Sequence, residues 1–236
     1  MEKNRHILSK YLRLIRLGIT LLWAVIGIAL LPGIQPCFAV ENRSEPLLTS
    51  VLTRIKDREQ GLKTFTASFI QTQQNELLTA PLVSKGMLFY DQSGKILLKM
   101  TDPESFVVLI TDGRITMGDP ATKSFKHKKL PGRESFLKRY VGSGDSLAGL
   151  KASYDIRLNG ECSSSDCRLD FSPKKKSRRM PFQQIQVTVD PKRWLPTVID
   201  LKESNGNFTR FELFYRTINT PLPPDTFNPD WLKGEK

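Results

Sequence analysis

Residues 81–110 read PLVSKGMLFY DQSGKILLKM TDPESFVVLI, and the reading of this stretch decides the fold. Lys85 marks a wet face, so a period of two points Leu88 and Tyr90 inward and Met87 and Phe89 outward. Asp91-Gln92-Ser93-Gly94 is a turn. Lys95 and Lys99 mark the wet face again, which leaves Ile96, Leu98 and Met100 together on the other. After Asp102-Pro103 the run 106–110 is apolar throughout, with Phe106, Val108 and Ile110 on one side. Asp112-Gly113 then gives a hairpin signal. Alternating strands joined by short turns make an antiparallel meander.

The same period extends outward in both directions. On the N-terminal side, Phe65, Ala67 and Phe69 alternate with Thr64, Thr66 and Ser68 over residues 64–74. Upstream of Gly61 the period is helical: Leu47, Leu48, Val51, Leu52 and Ile55 form one stripe opposite Arg54, Lys56 and Arg58. Ser44 is placed to cap that helix, with Pro46 in its first turn. On the C-terminal side, residues 132–150 read as one or two short helices broken by Gly142-Ser143-Gly144. Strands resume at 154–159, 168–172, 182–189, 195–203 and 207–216, the last two joined by an Asn205-Gly206 turn. Leu201, Phe211 and Leu213 are the inward members of that final pair. The tail, 221–236, has no period and several prolines. Roughly ten strands and few helices predict a mainly β (α+β) fold. Its form is a strongly curved antiparallel sheet, or open β-barrel, with helices covering the concave apolar face.

The N-terminus sets the expected compartment. Lys3, Arg5, Lys10, Arg13 and Arg16 precede an apolar run, 17–31, and Pro32, Gly33 and Pro36 break it. Cys37-Phe38-Ala39 puts small residues at −3 and −1 of a cleavage site, the pattern of a secretory signal. The expectation is a signal peptide over 1–39, cleaved after Ala39, and one domain over 40–236 in the periplasm. An uncut anchor would need about 20 apolar residues, and the run is shorter. A lipoprotein signal at Cys37 would want small residues where Ile34-Gln35-Pro36 stand. The first 39 residues hold five of the 36 Lys and Arg and one of the 24 Asp and Glu, so 31 basic and 23 acidic residues remain, a net of +8. Two of the three cysteines also remain, Cys162 and Cys167. A metal site would need two further ligands, and His127 is distant in sequence. A redox pair would want two intervening residues, not four. A disulfide closing a small loop in an oxidising compartment is the better reading.

No catalytic arrangement stands out. Past residue 39 the chain has one histidine, His127, within Lys126-His127-Lys128-Lys129. Nucleophilic catalysis wants Ser/His/Asp or Cys/His, and Gly142-Ser143-Gly144 is too little for a phosphate loop. Acids such as Asp112, Asp119 and Asp155 sit at turns or strand ends, where Asp is expected anyway. The expectation is a non-enzyme with no metal and no cofactor. The sharpest charge feature is the run Lys174, Lys175, Lys176, Arg178 and Arg179. The expected export and the lack of interleaved aromatics argue against nucleic acid. A solvated hairpin loop accounts for the run, and so does docking to an acidic partner or an anionic lipid surface.

These residues carry a resemblance. The segment 62–71, Leu-Lys-Thr-Phe-Thr-Ala-Ser-Phe-Ile-Gln after an amphipathic helix, resembles the opening strand of the LolA-type periplasmic outer-membrane lipoprotein carriers. Residues 81–90, a turn, and 96–100 before Asp102-Pro103 are similar to that family's second and third strands. Thr111-Asp112-Gly113-Arg114, followed by Asp119-Pro120, resembles its next hairpin, and the Phe227 region its C-terminal segment. The resemblance implies an open β-barrel lidded by helices, with a cavity for acyl chains, acting as a monomer. It implies acylated lipoproteins or another lipid as cargo, with an inner-membrane releasing complex and an outer-membrane acceptor as partners. Other lipids or polyketide-like membrane components are alternative cargoes, and a docking module without a cavity is an alternative role. The family pattern has an Arg-Pro pair in the turn after the second strand, its Arg holding the lid closed. Gln92 and Ser93 stand there here, so that contact is expected to be missing.

Overall fold

A computed structural model describes residues 44–76, 78–111, 113–129, 154–174 and 182–228. The first 39 residues, the helices expected over 132–150, and Lys175, Lys176, Arg178 and Arg179 lie outside the described residues.

Among the described residues one helix, α1 (Ser44–Gln60), precedes eleven strands. The chain leaves α1 through Gly61, whose N–H donates to the Asp57 carbonyl at 3.2 Å. The strands are β1 (Thr64–Gln74), β2 (Leu82–Asp91), β3 (Lys95–Asp102), β4 (Phe106–Thr111), β5 (Arg114–Asp119) and β6 (Ser124–Lys129), followed by β7 (Tyr154–Leu158), β8 (Cys167–Pro173), β9 (Phe182–Asp190), β10 (Leu195–Glu203) and β11 (Phe208–Ile218). They form one antiparallel sheet in the order β6-β5-β4-β3-β2-β1-β11-β10-β9-β8-β7. Two meanders therefore flank a central seam where the first strand pairs with the last, Phe69 opposite Leu213.

The described residues form eleven strands of the sheet, against roughly ten expected. The addition is β6, whose sequence Ser-Phe-Lys-His-Lys-Lys lacks an apolar period and reads as a surface stretch. It is an edge strand, and edge strands are often lysine-rich because charge discourages pairing with another chain.

The sheet is not closed, and β6 and β7 are its edges. It does curl. One apolar cluster draws Ile115 from β5, near one edge, together with Tyr154 from β7 at the other. Register shifts at Thr66/Ala67 and Lys85/Gly86 add local bends. Val51 and Leu52 of α1 are buried in the same cluster, with Leu48 and Ile55 packed against it. The helix thus lays its apolar stripe on the concave side, as its period predicts. Leu47, counted in that stripe, remains 43% exposed.

A second cluster lies on the convex side. Leu97, Val107 and Leu109 are buried there, against Phe89, Phe125 and Phe227. This explains why 106–110 is apolar on both faces. The tail that looked aperiodic returns across the sheet and seats Phe227 on β3 and β4. Phe89, read as outward, is outward but covered.

Candidate functional site

The concave face is the candidate site. Phe69, Leu88, Ile96, Met100, Phe106, Val108, Ile110, Leu201, Phe211 and Leu213 are buried in one cluster, and Phe65, Tyr90 and Leu98 pack against it. The thirteen inward positions read from the sequence therefore meet on one face. Cross-strand register explains the juxtaposition: Leu98 lies opposite Leu88 on one side and Val108 on the other. Phe69 lies against Gly86, where any side chain would meet its ring. Sequence reasoning left out the far half of the face, Leu169, Phe171, Ile185 and Val187. Alternation in β9 (Ile185, Val187, Val189) was the available signal.

The two ends of the face differ. Where α1 ends, Phe65 stacks on Tyr90 with ring centroids 5.1 Å apart and meets Tyr215 edge-on at 5.3 Å. The Tyr215 hydroxyl donates to the Pro196 carbonyl at 3.0 Å. Burial raises both phenol pKa values, that of Tyr90 to about 12, with Glu59 and Asp91 adding to the shift. Both rings therefore stay neutral across the physiological range. The Nε of Arg58, at the end of α1, is buried there without a hydrogen-bond partner. Toward the other end of β1 the face turns polar at Gln71 and Gln73.

Gln92 sits at the aromatic end. Its side chain is exposed, and its backbone N–H donates to the Lys63 carbonyl at 2.7 Å. Cys162 and Cys167 are joined as a disulfide with Cα atoms 4.3 Å apart, and Cys167 is fully buried in the main cluster. Of the basic run only Lys174 is described, and it is exposed.

The described residues contain no group of three or more His, Cys, Asp or Glu able to hold a metal. Nδ1 of His127 lies 2.9 Å from the Thr116 hydroxyl, opposite it on β5. No described helix is long and apolar enough to cross a membrane. On the convex side an open groove of about 490 Å³ runs between β2, β1 and β11, with Met87, Ile70 and Phe214 in its lining and Lys85 and Arg216 beside them.

A curled antiparallel sheet with an apolar concave face and a helix laid over it defines the class, and the family follows. The sequence matches the model of the family described as outer membrane lipoprotein carrier protein LolA over residues 60–230. The chain belongs to that family. Among solved structures it is similar to MucB of Pseudomonas aeruginosa in complex with MucA, at 16% identity and TM-score 0.47, covering 76% of this chain and 60% of that one. The chain thus spans about three-fifths of the MucB chain. It is also similar to the lipoprotein LppX of Mycobacterium tuberculosis (12% identity, TM-score 0.42, 76% of this chain and 99% of that one). A third likeness is to the LolA superfamily protein NE2245 of Nitrosomonas europaea (12% identity, TM-score 0.39, 78% and 98%). No curated protein matches the sequence.

Proposed function

We propose that this protein is a non-enzymatic carrier that shelters acyl chains on its concave face. It would take lipoproteins, or another lipid, from the inner to the outer membrane across the periplasm. In this reading residues 40–236 form one soluble domain, released by cleavage after Ala39. The observation that carries it is the continuous apolar face running from β5 to β7 beneath a single described helix. Most of the residues of that face are buried, so the face is sheltered from water. Membership of the lipoprotein-carrier family supports the same reading.

The energetics require a sheltered face. Each buried methylene is worth about 0.8 kcal/mol, so a ~16-carbon chain held in water costs roughly 12 kcal/mol. A carrier must offset most of that and still release the chain, which a lid of few contacts permits. With Gln92 exposed, no turn arginine pins the lid, and α1 is held by its own apolar stripe.

A fluorescent fatty-acid probe tests the proposal. The wild-type chain should bind it. Leu98→Glu, at a half-buried position on the concave face, should reduce affinity at least tenfold while far-UV circular dichroism stays unchanged. Equal binding by both proteins would place the probe elsewhere and refute the assignment.

A further inference from the structure

Five polar residues are buried among the described residues: Gln71, Gln73, Ser84, Thr116 and Glu203. Two have partners. Thr116 pairs with His127, and Glu203 accepts from the Asn207 amide at 3.3 Å. The other three form one patch. Gln71 and Gln73 continue the inward alternation of Phe65, Ala67 and Phe69 along β1. Ser84 faces Gln71 across the β1–β2 pair, and Phe211 and Thr209 face the two glutamines from β11. Gln71 is only 3% exposed, Gln73 6% and Ser84 5%. Their side chains make no hydrogen bond to any described residue, yet none is sealed in as Arg58 Nε is.

Burying an unpaired amide or hydroxyl costs free energy, so native buried polar groups are almost always satisfied. Ordinary packing at these positions would favour Leu or Val. Three such groups together, bordering accessible space at one end of an apolar face, are open to a ligand's polar group in place of water. The patch supplies two primary amides and a hydroxyl, each offering both donors and acceptors. Among the described residues it holds no cation, and Lys85, the nearest in sequence, points to the convex side with Met87. Two amides and a hydroxyl match an uncharged carbonyl, N–H or O–H group better than a phosphate or a free carboxylate.

We infer that Gln71, Gln73 and Ser84 form a subsite for the uncharged ester or amide linkage at the head of an acylated ligand. The acyl chain then runs from the patch over Phe69 toward the aromatic end at Phe65 and Tyr90. This deepens the carrier reading and rests on it. The linkage has two possible sources, the lipidated cysteine of a lipoprotein or a free glycerolipid, and both present the same carbonyl chemistry.

The test compares a hydrocarbon probe with an ester-bearing ligand on the delipidated protein. Diphenylhexatriene, which has no hydrogen-bonding group, reports the apolar face. Monopalmitoylglycerol and a diacylglyceryl-cysteine peptide compete for it. Gln71→Met with Gln73→Met keeps side-chain length and removes the amides. The double variant should bind diphenylhexatriene within about twofold of wild type. It should lose about tenfold or more against at least one competitor, the value for two ordinary hydrogen bonds. Loss for both competitors places the free lipid in the subsite, and loss for the peptide alone places the lipoprotein there. Equal loss for probe and both competitors, or no loss for any, overturns the subsite. Failure of wild type to bind diphenylhexatriene at all overturns the carrier reading beneath it.

Discussion

Replacing Gly86 with alanine adds one methyl group to the floor of the concave face, and the cost follows from the local geometry. An ideal Cβ at Gly86 would lie 2.8 Å from two atoms of the Phe69 ring and far inside contact distance of the Lys99 carbonyl oxygen. The ring could rotate away. The carbonyl cannot, because Lys99 is paired with Met87 in the β2–β3 ladder one step from a register shift. Overpacking of a well-packed interior costs about 1–3 kcal/mol, and an immobile backbone atom puts this case at the upper end, about 3 kcal/mol. For a domain of this size each kcal/mol moves the melting temperature by about 2–4 °C, so a fall of about 6–12 °C is expected. Gly61→Ala is the control, since its Cβ would meet only carbonyl oxygens at 3.7 and 3.8 Å. Scanning calorimetry on both variants reads the difference. A Gly86→Ala protein melting within 2 °C of wild type would refute the argument that close approach of β3 and Phe69 requires glycine there.

Phe227→Ala should uncover Leu97, Val107 and Leu109. It should cost about 2 kcal/mol, less than a fully buried phenylalanine, read as a lower urea midpoint together with new binding of a surface-hydrophobicity dye. The Tyr90 pKa is raised to about 12 from 10 because the fold favours the neutral phenol. Its stabilisation is therefore complete below pH 10 and is lost as pH rises toward 12. Denaturant titrations across that window should show a steeper alkaline decline for wild type than for Tyr90→Phe. Reducing the Cys162–Cys167 bond, which links residues five apart, should cost about 2 kcal/mol, since so short a loop gains little closure entropy. The melting temperature should drop by about 4–8 °C in reductant.

Much of the fold is legible because period-two patterning is local. The alternation at 82–90 and 95–100 assigns Leu88, Leu98 and Met100 to one face without tertiary information, and register places them together. What escapes the pattern is long-range. Residues 106–110 show burial on both sides, yet nothing local says that the tail supplies the second cover through Phe227. Strand β6 is unreadable because charge at an edge removes the period. The polar patch is hidden for the opposite reason. Gln71 and Gln73 sit at the right spacing, but glutamine at an inward position reads as the end of a buried strand until packing shows that it is buried. Cys167 looks like half of a surface loop and instead is fully buried, since β8 turns it into the main cluster.

The central claim is that the concave face carries acyl chains. Native mass spectrometry of the protein purified from a periplasmic extract, without detergent, tests it most directly. The account predicts a population heavier than the bare polypeptide by the mass of an acyl-bearing lipid or lipoprotein, lost on organic extraction and diminished in Leu98→Glu. A single species at the mass of the bare polypeptide, joined to an extracted protein that binds no acyl probe, would contradict it.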